Sequence, residues 1–284
     1  MKRLSGTILV AAVLAALAAQ CGPKRAPVNI RIHGSTTIEP FISNVVREYK
    51  AQGNVTFSVS ASCSGAGLDS LIAGHCDIAM SSMEIPSEFV ERAEKNDVLI
   101  KPYLIGYDAI VPIVHPSNSL SDISFDRLGE IYNGTIISWS QLGGVDTAIE
   151  VVERVGGSGT FSVWHHDVKV PLVRPQGVVE LSTSSAVTAY VASHPAAIGY
   201  VSVPWLNPEV KPLSIDGVGI TADSLPVEKY RLRRSLYLYV NQKRFDSEAR
   251  TFIIFLMVNK RGHELLRQSG FFPVTTDIAR PDKG

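Results

Sequence analysis

VVERVGGSGTFSVWHHDV, residues 151–168, is the stretch that decides how this chain is read. Residues 151–155 form a short run rich in β-branched apolar side chains, the pattern of a strand. Residues 156–160, Gly-Gly-Ser-Gly-Thr, make a turn, and residues 161–168 continue as a helix. A strand that breaks into a Gly/Ser/Thr turn and restarts as a helix is the repeating piece of an α/β sheet. Ligands in such sheets bind beyond the carboxyl ends of the strands. There a helix N-terminus presents unpaired N–H groups and a partial positive charge, which suits an anion. Glycine lets the backbone approach closely and Ser or Thr adds hydroxyl donors. Arg154, four residues before Ser158, offers a forked cation.

Outward from this point the same device recurs. A β-like run at 28–32 leads into Gly34-Ser35-Thr36-Thr37 and a helix with Ile38, Phe41, Ile42, Val45 and Tyr49 on one face, stopped at Gly53. A second run at 55–59 ends in Ser62-Cys63-Ser64-Gly65-Ala66-Gly67, and the short stretch 65–74 reads as helical. A third at 78–80 meets Ser81-Ser82, with a helix at 87–95 after Pro86. Further strands are expected at 109–114, 198–201 and 236–240, and further helices at 125–132 and 184–193, with Asn133-Gly134 as a turn. Any one Ser/Thr turn is ordinary helix capping. Three or four in one chain, nearly free of Lys and carboxylate, favour a buried tetrahedral oxyanion. No repeat of fixed period and no low-complexity tract follows residue 27.

Composition narrows the function classes. The chain has 284 residues, with 27 Lys plus Arg against 27 Asp plus Glu and 45% apolar residues. A balanced charge excludes the basic excess of a nucleic-acid binder, and the apolar content excludes an acidic disordered chain. At the N-terminus, Lys2 and Arg3 precede an apolar run from 8 to 19, and Cys21 follows Gln20. An h-region this short reads as a signal peptide, residues 1–20, and not as a spanning helix. Ala18-Ala19-Gln20-Cys21 resembles a bacterial lipoprotein signal, so Cys21 is the expected lipidation site and residues 21–27 the linker behind it. Loss of Lys2 and Arg3 leaves 25 positive against 27 negative charges, or −2. The function is therefore expected outside the cytoplasm, anchored by lipid at the periplasmic or cell surface. Cys63 and Cys76 flank the helical run 65–74, too far apart to bridge at about 1.5 Å per residue, and are expected as free, mostly buried thiols.

Taken in order, these motifs resemble the extracytoplasmic phosphate-binding proteins of bacterial ABC phosphate importers, the PstS-like family of the type II periplasmic binding fold. Gly34-Ser35-Thr36-Thr37-Ile38-Glu39-Pro40 is similar to that family's first phosphate loop, Ser64-Gly65-Ala66-Gly67 to its second, and Asp77-Ile78-Ala79-Met80-Ser81-Ser82 to its third. Arg154 with Gly157-Ser158-Gly159-Thr160 is similar to its fourth, and residues 197–202, 213–217 and 270–274 to later landmarks. The resemblance implies an α/β protein of two lobes, each a mixed, mostly parallel sheet flanked by helices. Residues 28–107 plus 211–284 would form lobe one and residues 108–210 lobe two, with crossings near 107–108 and 204–211. It implies inorganic phosphate as ligand, held by Ser35, Thr36, Thr37, Ser64, Ser82, Arg154, Ser158, Gly159 and Thr160. It implies a membrane permease as partner, a monomer, and no cofactor, metal or covalent step. Some relatives carry an aspartate where Ser82 stands, an Arg at Met83 and an acid at Gly156. Choice between phosphate and sulfate is therefore left open, as is the group that accepts the phosphate proton, Glu84 or a serine oxygen.

Competing readings are weaker. His165-His166-Asp167 could suggest a metal site or a base, but adjacent residues on a helix diverge, and a solvated face is expected. A phosphatase or esterase using Ser158 lacks a placed His–Asp pair. A binder of sulfate or another oxyanion is the alternative receptor. Arg231, Arg233 and Arg234 are expected at a solvated edge or in a structural salt bridge.

Overall fold

Ile30 and Ile32 alternate inward along strand β1 (Val28–Gly34), and helix α1 (Glu39–Glu48) lays Phe41, Ile42 and Val45 on the same face. This is a computed structural model, and it describes residues 28–49, 55–171, 177–220 and 230–274. The export segment, Cys21, the linker and Gly53 lie outside the described residues. Strand β2 (Val55–Ala61) pairs parallel with β1, helix α2 (Ser64–Ile72) follows, and strand β3 (Ile78–Ser81) returns parallel on the other side of β1. Helix α3 (Ser87–Lys95) leads to strand β4 (Ile100–Val114), whose 15 residues pass from one lobe into the other.

The second lobe begins with strand β5 (Asp122–Ile123) and helix α4 (Phe125–Tyr132). Strand β6 (Glu150–Arg154), helix α5 (Gly159–Asp167), strand β7 (Val179–Leu181), helix α6 (Ser184–Ser193) and strand β8 (Ala197–Ser202) build its sheet. Strands β9 (Lys211–Pro212) and β10 (Ser214–Ile215) precede strand β11 (Arg233–Asn241), which re-enters lobe one. Helices α7 (Ser247–Val258) and α8 (Lys260–Gln268) and strand β12 (Phe272–Pro273) complete it. One hydrogen-bonded path runs β2-β1-β3-β11-β4-β8-β6-β7, with β9 and β12 beside β4; β10 pairs separately with β5.

The outer strands are parallel, as expected. The pairs made by β4 and β11 are antiparallel, because these strands carry the chain across the hinge in opposite directions. The first part of β4 pairs with β11, from Ile100↔Asn241 to Ala109↔Arg233; the last part, Ile110–Val114 by register, pairs with β8. Lobe one has a core on each face of its sheet. Phe41, Leu236, Leu238 and Phe252 fill one, and Leu68, Leu71 and Tyr239 the other. In lobe two the stacked rings of Trp164 and Tyr200, 4.1 Å apart, centre a core with Tyr132 and Ile110. Each such side chain stabilises by roughly 1.5–3 kcal/mol on burial.

Two expectations are corrected. Leu213, Ile215, Ile220, Tyr230 and Leu232 pack in lobe two's core, so the return crossing lies at the start of β11 and not at 204–211. The apolar side chains of that stretch are drawn to the nearer core, against Ile110 and Ile123. Strand 109–114 is also the second half of a longer strand, because the residues before it pair with β11, Pro102 opposite Tyr239 and Gly106 opposite Leu236. Cys63 and Cys76 are free thiols, half-buried and buried. Burial pushes the Cys76 thiol up to about 11. Among the described residues no helix is long and apolar enough to cross a membrane.

Candidate functional site

Gly34 closes β1 at φ +138°, and a Cβ there would stand 2.2 Å from the Met80 carbonyl oxygen. Only glycine lets the chain turn so close to β3. Ser35 N–H then donates to Met80 O (2.9 Å), fixing the turn so that the Ser35 hydroxyl lies 3.2 Å from Ser82 Oγ. Thr37 N–H donates back to Ser35 Oγ. Ser64, in the first turn of α2, accepts from Ser82 N–H at 3.2 Å and lies 3.4 Å from Ser82 Oγ. Cys63 caps that helix through its sulfur, which accepts from Ala66 N–H. Three separate turns thus converge their hydroxyls at the carboxyl ends of β1, β2 and β3, all buried save a half-buried Thr36.

Lobe two meets them with the N-terminus of α5. Ser158 is its N-cap and makes no side-chain cap of its own, while Gly159 and Thr160 open its first turn. A Cβ on Gly159 would lie 2.4 Å from Ser82 Oγ and 2.7 Å from Ser64 Oγ, so the lobes touch here with no room to spare. The first turn of a helix leaves N–H groups without an intrahelical partner, and this one lies beside the serine hydroxyls of lobe one. At the end of β6, Arg154 is 1% exposed. Its Nη1 donates to Ser184 Oγ (2.9 Å), and its Nη2 to Ser182 O (2.7 Å) and Thr36 Oγ1 (3.4 Å). Burial, then the charge of Arg234, lowers this guanidinium to about 10.

Arg234 is the residue that sequence reasoning missed. It is 4% exposed and spans the junction of the two lobes. Nη1 donates to Thr160 Oγ1 (2.7 Å) and Ser82 Oγ (3.4 Å), and Nη2 to Thr37 Oγ1 (3.3 Å). Asp108 lies opposite it in register and pairs with it at 2.7 Å. The expected basic cluster therefore divides. Arg231 lies over the Phe125 ring and pairs with Asp216, Arg233 lies over Tyr107, and Arg234 turns inward. The signal was in the strand period: Arg234 shares the face of Leu236, Leu238 and Val240, all buried.

All nine sequence-predicted residues, Ser35, Thr36, Thr37, Ser64, Ser82, Arg154, Ser158, Gly159 and Thr160, fall in this one interlobe cluster. The expected solvated face at 165–167 is only half right. His166 is 88% exposed, but His165 stacks on Phe161 and its Nε2 stands 3.3 Å from the buried Glu153 carboxylate. Both histidines are in the last turn of α5, with Ser158 at its opposite end. Glu84 lies within 3.3 Å of the Tyr237 hydroxyl, which donates to it. The charge balance of the cluster is the decisive electrostatic feature. Arg154 and Arg234 face a single paired carboxylate, Asp108, so one buried positive charge has no counter-charge among the described residues. A buried charge of that kind costs several kcal/mol unless an opposite charge joins it.

The PBP superfamily domain model matches residues 22–260 of the chain. The phosphate-binding protein PstS of Borreliella burgdorferi is 26% identical over 263 residues, covering 87% of this chain and 90% of the relative. PstS of Bacillus subtilis is 26% identical over 257 residues, covering 89% and 83%. Among solved structures, a Clostridium perfringens protein with bound phosphate superimposes with a TM-score of 0.81 at 24% identity, covering 87% of this chain and all of that one. An ABC-type phosphate transport receptor from Vibrio cholerae gives 0.72 at 22% identity, with 87% of this chain and 100% of that chain covered. At these identities the solved structures speak for the fold.

Proposed function

Because the chain belongs to the PBP superfamily, we propose that it is an extracytoplasmic solute-binding protein that captures inorganic phosphate between its lobes for an ABC import permease. One observation carries the reading: an unmatched buried positive charge enclosed by serine and threonine hydroxyls and by the first turn of α5. That arrangement suits a small oxyanion whose oxygens accept from every side. Ser35, Thr36, Thr37, Ser64 and Ser82 hold it from lobe one, and Arg154, Ser158, Gly159 and Thr160 from lobe two. Arg234 joins them from the crossing strand. With ligand contacts divided between lobes, hinge closure follows from binding, and the closed form is the one a permease would receive. The PstS proteins of B. burgdorferi and B. subtilis support phosphate as the ligand.

The finer parts of the reading are a signal peptide at 1–20, a lipid on Cys21 that holds a monomer at the membrane, and binding without turnover. Calorimetric titration of the protein with phosphate tests the whole. A saturable signal at micromolar phosphate or tighter is expected; no heat below millimolar phosphate refutes it. Arg154→Ala should weaken binding by about 1.5–3 kcal/mol, as for a charge-assisted bond, and unchanged affinity removes Arg154 from the site. Cys21→Ser should release the protein from membranes. Turnover of a chromogenic phosphate ester that vanishes in Ser158→Ala would instead favour an enzyme.

A further inference from the structure

Arg154 ends β6, where it lies beside Leu181 of β7 in parallel register. That register sets the turn between β7 and α6 next to the guanidinium. Ser184 is 2% exposed, in the first turn of α6, and its Oγ accepts from Arg154 Nη1 (2.9 Å). Ser182 O accepts from Nη2 (2.7 Å). The Ser184 hydroxyl is not needed to cap its helix, because Thr183 Oγ1 already accepts from Ala186 N–H (3.1 Å). The helix behind it is closely seated. Thr188 Oγ1 donates to Ser184 O (3.2 Å), and a Cβ on Gly199 of β8 would stand 2.9 Å from Val187 and 3.1 Å from Val191.

Resting on the reading of an oxyanion receptor, we infer that Ser184 is a positioning residue: its hydroxyl, with the Ser182 carbonyl, aims the Arg154 guanidinium at lobe one and so sets the affinity for the anion. The two buried arginines of the cluster are anchored by different means. Arg234 is held by the Asp108 carboxylate, whereas the acceptors of Arg154, Ser184 Oγ, Ser182 O and Thr36 Oγ1, are all uncharged. Like charges in one cluster repel, and Arg234 acts on Arg154 in that sense. A long, rotamer-rich side chain under such repulsion has to be fixed in advance, or its ordering is charged against binding. Neutral anchors fix it without cancelling its charge, which stays available to an anion. The third contact shows where the fork is aimed. Nη2 lies 3.4 Å from Thr36 Oγ1, which belongs to lobe one.

Calorimetric titration with inorganic phosphate tests this in the unmodified protein, Ser184→Ala, Arg154→Ala and the double variant. Ser184→Ala removes one hydroxyl without adding bulk, and alanine suits a helix. Phosphate affinity should fall by about tenfold, the 1.4 kcal/mol of one hydrogen bond. Ser185→Ala, at the exposed neighbour in the same turn, should leave affinity unchanged. In the Arg154→Ala background, Ser184→Ala should alter affinity by less than about twofold, since its only effect runs through the arginine. A role confined to the folding of lobe two, or a direct contact of the hydroxyl with the anion, would lower affinity by the same factor in both backgrounds and overturn the inference. Unchanged affinity in the Ser184→Ala single variant also overturns it. No phosphate binding by the unmodified protein removes the receptor reading, and this inference with it.

Discussion

Replacing Arg234 by methionine tests the assembled site most directly, because this side chain joins both lobes and both crossing strands. It removes the cation paired with Asp108, and both groups are almost wholly buried, at 4% and 0% exposure. A buried carboxylate stripped of its partner costs about 3–5 kcal/mol. Urea unfolding followed by tryptophan fluorescence should show a loss of that size. The same change takes the cluster from one net positive charge to zero, leaving Arg154 and Asp108 without a direct ion pair. It also deletes donors that reach Thr37, Ser82 and Thr160. Removing two charge-assisted hydrogen bonds to the ligand costs about 3–6 kcal/mol, or roughly 10²- to 10⁴-fold in phosphate affinity. Adding Asp108→Asn to Arg234→Met should restore more than about 1 kcal/mol of stability, since an amide is far cheaper to bury alone than a carboxylate. A single variant that loses under about 1 kcal/mol, or a double variant no more stable than the single, would refute the pairing argument.

Three further outcomes follow from the same geometry. Gly159→Ala places a methyl 2.4 Å from Ser82 Oγ, so calorimetry should show phosphate affinity falling by at least about tenfold while the unfolding midpoint barely moves. Thiol labelling of the native protein, read by mass spectrometry, should modify half-buried Cys63 and spare Cys76, whose buried thiol is held up at about 11; labelling of both alike would contradict the packing. Asp77 is opposed by burial but drawn lower overall by hydrogen bonds and charge from Arg31, at 2.7 Å. A carboxyl lowered in the fold contributes stability above its unfolded value and loses it as pH falls through the folded one. Asp77→Asn should therefore cost below about 1 kcal/mol at neutral pH, as for a part-exposed pair. The difference should begin to shrink in acid denaturation below about pH 3.8, the ordinary value, and vanish only below the lowered folded one.

Local signals wrote most of the elements. Helices at 87–95, 125–132 and 184–193 have the bounds that their capping residues and apolar spacing indicate. The turn at 34–37 was legible because Gly34 precedes three hydroxyl side chains, and its φ of +138° is why glycine stands there. Helices α7 and α8 follow each other with only Asn259 between them, which caps α8 through its side chain. No Gly or Pro interrupts residues 247–259 to punctuate them, so they went unread. The expected strand 236–240 missed the start of β11 for a different reason. Arg233 and Arg234 look like surface charge until the strand is placed between β3 and β4.

By itself, the sequence determined the α/β class and the Gly/Ser/Thr turns that hold eight of the predicted site residues, with Arg154 at the end of the strand before one of them, because backbone turns and helix starts depend on neighbours a few positions apart. Tertiary structure decided the rest. Arg234 meets Asp108 across 126 positions of chain and Thr37 across 197, and no local period encodes a partner that distant. The lobe boundary belongs to the same class of fact: Leu213, Ile215, Ile220, Tyr230 and Leu232 join whichever core accepts their side chains, and that choice exists only once both cores have formed.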